Sequence, residues 1–204
     1  GHDYGVEGEV VECNPYLKFR FRLKGETNWH EVQTHLIGAY NVTNALAAIA
    51  VGHHFGVNAE QAAEAIGKYM PTNNRSEMVK TAHNTLIVDA YNANPTSMKA
   101  ALENFAAINA PHKMAILGEM RELGEVSAQE HQKVAEQALT TGCEEVWLVG
   151  EAFQAFSELA DSIRWFPDVE AVTVALKDGD CPEGRLILIK GSNGTKLFKL
   201  PALL

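Results

Sequence analysis

Residues 86–97 read Leu86-Ile87-Val88-Asp89-Ala90-Tyr91-Asn92-Ala93-Asn94-Pro95-Thr96-Ser97, and they join an apolar run to a polar cluster. The apolar residues 85–88, rich in β-branched side chains, predict a buried strand. Pro95 favours the first position of a helix and Asn94 can cap it, so a helix is predicted to begin there. Asp89 is therefore expected at the carboxyl end of a strand, where open α/β sheets bind ligands.

Two interpretations of this polar cluster remain open from the local pattern. A carboxylate such as Asp89 can accept hydrogen bonds from both hydroxyls of a ribose, which favours a nucleotide site. Alternatively, Asn92 and Asn94 belong to a turn in which the side chains only satisfy their own backbone.

Strands and helices alternate after this segment, which is typical of an α/β domain with a mostly parallel sheet flanked by helices. The sequence Ser127-Ala128-Gln129-Glu130 predicts a capping box at the start of one helix. Strands are predicted at 85–90, 113–117, 145–149 and 185–190, and helices at 95–108, 127–141 and 151–162.

The residues before the α/β segment follow a different pattern. Residues 18–23 alternate three basic and three apolar side chains and predict a half-buried strand, with residues 6–11 as its neighbour. The Ala-rich residues 42–55 predict a helix that is buried nearly all round, and a second helix is predicted over 59–69 with Asn58 as its N-cap. Polar residues 71–77 predict a linker, so we expect one domain over 1–73 and another over 74–204.

Composition limits the class of protein. The chain has 204 residues and a net charge of −9, without a basic stripe, which argues against nucleic acid as a partner. Its three cysteines lie far apart without C-x-x-C spacing, which argues against a disulfide framework or zinc site and fits a reducing cytoplasm. No apolar run is long enough to span a bilayer, so no membrane insertion is expected.

Five ordered motifs resemble those of the Mur ligase family. The segment around Asp89 is similar to D-S-Y-N-A-N-P, typical of members that add D-alanyl-D-alanine to UDP-N-acetylmuramoyl-tripeptide. Departures from the family pattern occur at Tyr40, Asn74, Val88, Ala90 and Asn193. The other four motifs are Gly38–Ala48, Pro71–Arg75, Leu117–Gly124 and Ile189–Ser192.

The resemblance implies a role for individual residues. Asn44 is similar to a residue that contacts the adenine, although an Asn near a helix start can also be satisfied within the helix. Arg75 is similar to a hinge arginine that reaches the nucleotide, and otherwise would be a solvated charge. Lys190 and Ser192 are expected near the carboxylate of the dipeptide, although Lys190 could equally be an exposed strand end. The cofactor-binding set is thus Asn44, Arg75, Asp89 and Tyr91, and the substrate-binding set is Asn92, Asn94, Lys190 and Ser192.

The resemblance also implies a fold and an activity. The fold would be a Rossmann-like C-terminal domain preceded by a strand-plus-helix remnant of a central ATPase domain. The activity would be ATP-dependent amide ligation through an acyl phosphate, with Mg²⁺ as a cofactor and a monomer as the expected state. Because no G-x-x-x-x-G-K-[ST] loop occurs, we expect a piece of a longer enzyme that is inactive alone and holds no catalytic residue.

The same sequence leaves alternative functions open and offers two candidate metal sites. Another Mur-type ligase or a folylpolyglutamate synthetase would share the architecture, and a non-catalytic nucleotide-binding module is the alternative from a different class. His53 and His54 are adjacent on a helix and cannot grip one metal, so one is expected to be a core or edge histidine. The glutamates at 119–130 are expected to form a solvated acidic face, so no metal site is predicted.

Overall fold

The computed structural model describes residues 5–71 and 76–204 of the chain. The described residues divide into two units, one within 5–71 and one within 76–204. The predicted domain boundary, between residues 73 and 74, lies outside the described residues.

The first unit is a three-stranded antiparallel sheet covered by two helices. Its strands β1 (Val6–Cys13), β2 (Tyr16–Leu23) and β3 (His30–Ile37) lie in that order. Alternation along β2 is confirmed, because Phe19 and Phe21 are fully buried while Arg20 and Arg22 pair with glutamates of β1. Strand β3 was not predicted, although its buried Val32 and Thr34 alternate with exposed residues.

The two helices of this unit differ in how well they were predicted. Helix α2 (Ala59–Lys68) begins at the predicted N-cap, with a reciprocal capping box between Asn58 and Gln61. Helix α1 (Asn41–His54) was predicted to be buried nearly all round, which is wrong.

The reason lies in how α1 is covered within the described unit. Only one stripe of α1, Asn41, Ala45 and Ile49, is buried. These positions lie four residues apart on one face of the helix, and other side chains project into solvent. Phe55 is 80% exposed, and both His53 and His54 are exposed, so neither histidine is a core residue.

The second unit confirms the predicted α/β class. A six-stranded sheet has the order β4-β5-β9-β6-β7-β8, and only β4 runs antiparallel to its neighbour. Its strands are β4 (Glu77–Lys80), β5 (Thr85–Asp89), β6 (Lys113–Gly118), β7 (Glu145–Val149), β8 (Ile163–Phe166) and β9 (Leu186–Lys190). Its helices are α3 (Pro95–Ala107), α4 (Ser127–Leu139) and α5 (Val169–Lys177).

The segment between β7 and α5 differs from the prediction. A helix was expected over 151–162, but the structure has a 3₁₀ segment only, over Glu151–Phe156. The tighter turn places the buried Phe153 edge-on against the ring of His131, so a tertiary contact overrides local helix propensity. Strand β8 and helix α5 follow; both were missed, although Asp168 supplies the N-cap of α5.

The predicted capping box at Ser127 is also wrong. A 3₁₀ turn over Gly124–Val126 leads directly into α4, so Ser127 already has helical backbone angles (φ −52°, ψ −52°) instead of the extended ones of a cap. Glu130 pairs with Lys133 instead. Helix α3 does begin as predicted, because Asn94 caps it and Pro95 follows.

No helix within 5–71 or 76–204 combines the length and apolar character needed to cross a bilayer.

A buried lysine completes the end of α3. The Nζ of Lys113 donates to the carbonyl oxygens of Phe105 (3.0 Å), Ala106 (3.2 Å) and Ile108 (3.3 Å). The last carbonyls of a helix have no partner within the helix, and a cation also interacts favourably with the negative end of the helix dipole. Lys113 therefore acts as a C-terminal cap built from the neighbouring strand β6.

We expect Lys113→Met to lower the free energy of unfolding of the second unit by about 1–3 kcal/mol, because buried carbonyls would lose their donor while the side-chain volume is kept. Urea unfolding followed by fluorescence of Trp147 and Trp165, both in this unit, measures the change. Lys99→Met on the exposed side of α3 is the matched control. Equal unfolding midpoints for the two variants would contradict the capping role.

Candidate functional site

The predicted site residues of the second unit lie at the carboxyl edge of its sheet. Strand β5 ends at Asp89 and β9 ends at Lys190, and the two residues are register partners across the parallel pair. Strand β6 lies on the other side of β9, where Leu117 is the partner of Lys190. The loops that leave β5, β6 and β9 therefore start side by side, in the place where α/β sheets bind ligands.

An ion pair joins the two strand ends. The Nζ of Lys190 lies 2.6 Å from Oδ2 of Asp89 and 3.3 Å from the carbonyl oxygen of Asn92. The side chain of Lys190 is 1% exposed, whereas that of Asp89 is 17% exposed. The alternative in which Lys190 is an exposed strand end is therefore wrong, and its charge is matched within the fold.

The other oxygen of Asp89 accepts a hydrogen bond from the backbone just before β4. Ser76 donates its backbone N–H to Oδ1 of Asp89 over 3.3 Å. Ser76 has a φ of 49°, in the left-handed region that a non-glycine residue rarely adopts. Asp89 thus fixes an unusual backbone conformation just before β4 while part of its carboxylate stays accessible.

The loop between β5 and α3 has properties of both interpretations that the sequence left open, the self-satisfied turn and the ligand site. Oδ1 of Asn92 accepts from the N–H of Ala93, and Oδ1 of Asn94 accepts from the N–H of Ser97 at the helix cap. These bonds are those of the turn interpretation. Tyr91, Asn92 and Asn94 are nevertheless exposed, so their outer atoms can reach a ligand.

Ser192 ties the loop after β9 to the loop after β6. Its hydroxyl donates to the carbonyl oxygen of Glu119 over 2.8 Å, and its side chain is buried. The carboxylate of Glu119 in turn accepts from the N–H of Ala152 over 3.4 Å. In this arrangement Ser192 orders the edge of the sheet, and its proposed contact with a substrate stays a prediction.

The two remaining predicted residues are not brought to this edge by the second unit. Asn44 belongs to the first unit, where its exposed side chain on α1 donates to Oδ1 of Asn41 over 3.0 Å. Arg75 lies outside the described residues.

Two cavities of the second unit differ in position and charge. The smaller, of about 230 Å³, lies at the carboxyl edge. It is lined by carboxylates of Glu119, Glu151, Asp168 and Glu170 and by the cations of Arg121 and Lys196. The larger, of about 500 Å³, lies at the amino ends of β5, β6 and β9. Neither cavity is lined by a predicted site residue. The smaller cavity is the better candidate for a ligand site, because parallel sheets bind ligands at their carboxyl edge.

In the ranges that the structure describes, no three His, Cys, Asp or Glu side chains come close enough to hold a metal ion. Cys143 lies just before β7, at the opposite, amino edge of the sheet. Burial raises the pKa of its thiol above the ordinary value, so the thiol stays protonated at neutral pH.

Comparison with known proteins identifies the family. The model of the Mur ligase, glutamate ligase domain matches residues 74–193. The chain belongs to the Mur ligase family. Its mostly parallel sheet flanked by helices is thus that of a Mur ligase C-terminal domain.

Curated relatives and solved structures agree with this assignment. The UDP-N-acetylmuramoyl-tripeptide--D-alanyl-D-alanine ligase of Bacillus subtilis is 35% identical over 188 residues, covering 88% of this chain and 40% of the relative. A crystal structure of MurF from Acinetobacter baumannii has a TM-score of 0.80 at 26% identity and covers 96% of this chain and 43% of that one. A MurF ligase from Thermotoga maritima, solved in complex with ADP, shares the fold with a TM-score of 0.78 at 16% identity, with coverage of 98% and 45%. The chain thus spans about 40% of the length of that curated relative.

His131 is a buried residue of this domain that was not among the predicted site residues. Its side chain is fully buried, and its Nε2 accepts from the N–H of Met120 over 2.9 Å. The other nitrogen, Nδ1, must then carry the proton, which it donates to the carbonyl oxygen of Ser127 over 2.7 Å. His131 therefore anchors the loop after β6 to α4. The sequence contained a signal for this anchoring role, because this histidine lies only seven residues after the L-G-E-M-R-E-L-G motif.

We expect His131→Ala to lower the free energy of unfolding of the second unit by about 2–4 kcal/mol, because a buried ring and its two hydrogen bonds are lost. Hydrogen exchange of the Met120 amide should accelerate in the same variant. Gln132→Ala, at the exposed neighbouring position, is the control and should leave both quantities nearly unchanged. Retained protection of Met120 in His131→Ala would show that the loop does not depend on this ring.

Proposed function

We propose that this chain is part of an ATP-dependent ligase of peptidoglycan precursor synthesis that joins D-alanyl-D-alanine to UDP-N-acetylmuramoyl-tripeptide. The observation that carries the proposal is the similarity, over both units, to curated relatives of that name, including 35% identity over 97% of the chain to the one from Rickettsia prowazekii. This similarity favours the dipeptide-adding reaction over the other ligases that the sequence left open. The proposed location is the cytoplasm, and the three cysteines, which lie far apart in the sequence without C-x-x-C spacing, fit a reducing compartment.

The reaction we propose has two chemical steps. The terminal carboxylate of the tripeptide attacks the γ-phosphate of ATP, and ADP leaves with the bond to the bridging oxygen broken. The amine of the dipeptide then attacks the acyl phosphate, so that an amide forms and inorganic phosphate and a proton are released. The Mg²⁺ that we expect to assist ATP would be held outside the described residues.

The nucleotide is proposed to bind at Asn44, Arg75, Asp89 and Tyr91. Asp89 fits a ribose, because its carboxylate stays partly accessible at the edge of the sheet. Within the described residues Ser76 and Lys190 donate to this carboxylate, which has about four lone-pair positions and so can accept further donors. The family resemblance also implies that this domain helps to exclude water from the acyl phosphate.

The dipeptide is proposed to bind beside this nucleotide site. Asn92, Asn94 and Ser192 remain candidates from the family resemblance. D-Alanyl-D-alanine is a zwitterion, and the small cavity at the carboxyl edge presents charges of both signs. We propose Arg121, whose side chain is 58% exposed, as the cation for the dipeptide carboxylate. A guanidinium suits a carboxylate because it can donate two parallel hydrogen bonds.

The proposed function is tested by assaying the full-length protein in which these 204 residues occur. Formation of ADP should require both UDP-N-acetylmuramoyl-tripeptide and D-alanyl-D-alanine, and L-amino acids or glutamate should not replace the dipeptide. The 204-residue chain alone serves as the control and should give no turnover, because it contains no phosphate-binding loop. Turnover with a single amino acid in place of the dipeptide would refute the assignment.

Arg121→Ala in the full-length protein should raise the KM for D-alanyl-D-alanine by roughly tenfold or more, because a charge-assisted hydrogen bond is lost. The KM for ATP should change less than twofold. Lys99→Ala, which removes an exposed cation on α3, controls for the change in net charge. An unchanged dipeptide KM would remove Arg121 from the site.

A further inference from the structure

We propose that Lys190 is a positioning residue for the nucleotide: it holds the carboxylate of Asp89 in place for the ribose and does not bind the dipeptide. This inference rests on the proposed function and deepens it. It also replaces the role that the family resemblance implied for Lys190.

The burial of Lys190 argues against direct contact with a substrate. Its side chain is 1% exposed, and its ammonium is directed at Asp89 Oδ2 (2.6 Å) and at the carbonyl oxygen of Asn92 (3.3 Å). Moving the ammonium toward a dipeptide would leave a carboxylate without its partner and a cation without its carbonyl acceptor. Separating such a pair is strongly unfavourable at a poorly solvated site.

The same contacts place Asp89 where a nucleotide could use it. Lys190 occupies one carboxylate oxygen, and the N–H of Ser76 occupies a position on the other. Two contacts on different oxygens fix both the position and the rotation of the carboxylate. The lone pairs that remain are thereby held toward the accessible side, which lowers the entropy lost when ribose hydroxyls bind.

Lys190 also acts on the loop that follows Asp89. Its bond to the carbonyl oxygen of Asn92 fixes the backbone one residue after Tyr91, which is 47% exposed. A single buried ammonium thus sets the position of two of the residues proposed for the nucleotide. The register of β5 and β9 delivers it there, because Asp89 and Lys190 are direct partners.

The test compares nucleotide and dipeptide binding in Lys190→Met of the full-length protein. The Kd of ATP, measured by calorimetry, and the KM for ATP should rise roughly tenfold or more, because an ordered charge-assisted hydrogen bond to Asp89 is lost. The KM for D-alanyl-D-alanine should change less than twofold. A raised dipeptide KM with an unchanged ATP Kd would overturn the inference.

A double-mutant cycle with Asp89→Asn separates positioning from a general loss of structure. If Lys190 acts through Asp89, the variant carrying both substitutions should bind ATP about as weakly as Asp89→Asn alone. Additive losses of ATP affinity would contradict the inference. Thermal unfolding of each variant shows whether the fold is retained.

Lys190→Arg provides the second variant should Lys190→Met fail to fold. It keeps the charge but spreads it over a wider planar group, so it should retain the fold and weaken ATP less than methionine does. Its dipeptide KM should stay within twofold of the unsubstituted protein, and a larger rise would overturn the inference. If the unsubstituted protein used no dipeptide at all, the proposed function would fail, and ATP calorimetry on the same variants would still test the link between Lys190 and Asp89.

Discussion

The buried ammonium of Lys190 is the constraint on which the carboxyl edge of the second unit depends. A cation with 1% exposure requires an anion beside it, and that anion, Asp89, lies 101 residues away in the sequence. The pair joins the ends of β5 and β9 and can form only when the two strands are in their observed register. The stability of this edge and the proposed recognition of the nucleotide therefore depend on the same two side chains.

The loops around this pair are held by side chains from neighbouring elements. Ser192 bonds the backbone of the loop after β6, and His131 bonds the same loop from α4. The three non-glycine residues with positive φ in the described ranges, Ser76, Glu122 and Lys196, all lie in segments at this edge. Conformations of this kind persist only where surrounding contacts enforce them, and they cluster at functional sites. The loops at this edge are thus held by contacts within the protein, and such preorganisation would reduce the entropy lost in the proposed binding of a ligand.

Local sequence patterns predicted most helices and strands. They failed where a tertiary contact determined the backbone conformation, or where the sheet covered only one face of a helix. The alternation in β2 and the Asn-Pro start of α3 were sufficient to predict these two elements, because burial and capping there follow from neighbouring residues. The segment over 151–162 has helical composition, yet the contact of Phe153 with His131 selects a 3₁₀ turn. Helix α1 has apolar composition on several faces, but the sheet of the first unit covers only one of them.

The sequence by itself determined the α/β class, the mostly parallel sheet and the placement of Asp89 at a strand end, because hydrophobic period and helix-start residues are local properties. The family motifs also led to Asp89, Asn92, Asn94, Lys190 and Ser192 as the residues of interest. Only the tertiary structure decided that Lys190 faces Asp89 and that Ser192 faces the backbone of Glu119. The reason is that a side chain's partner is set by which strands become neighbours and in which register, and no local pattern of residues records that choice.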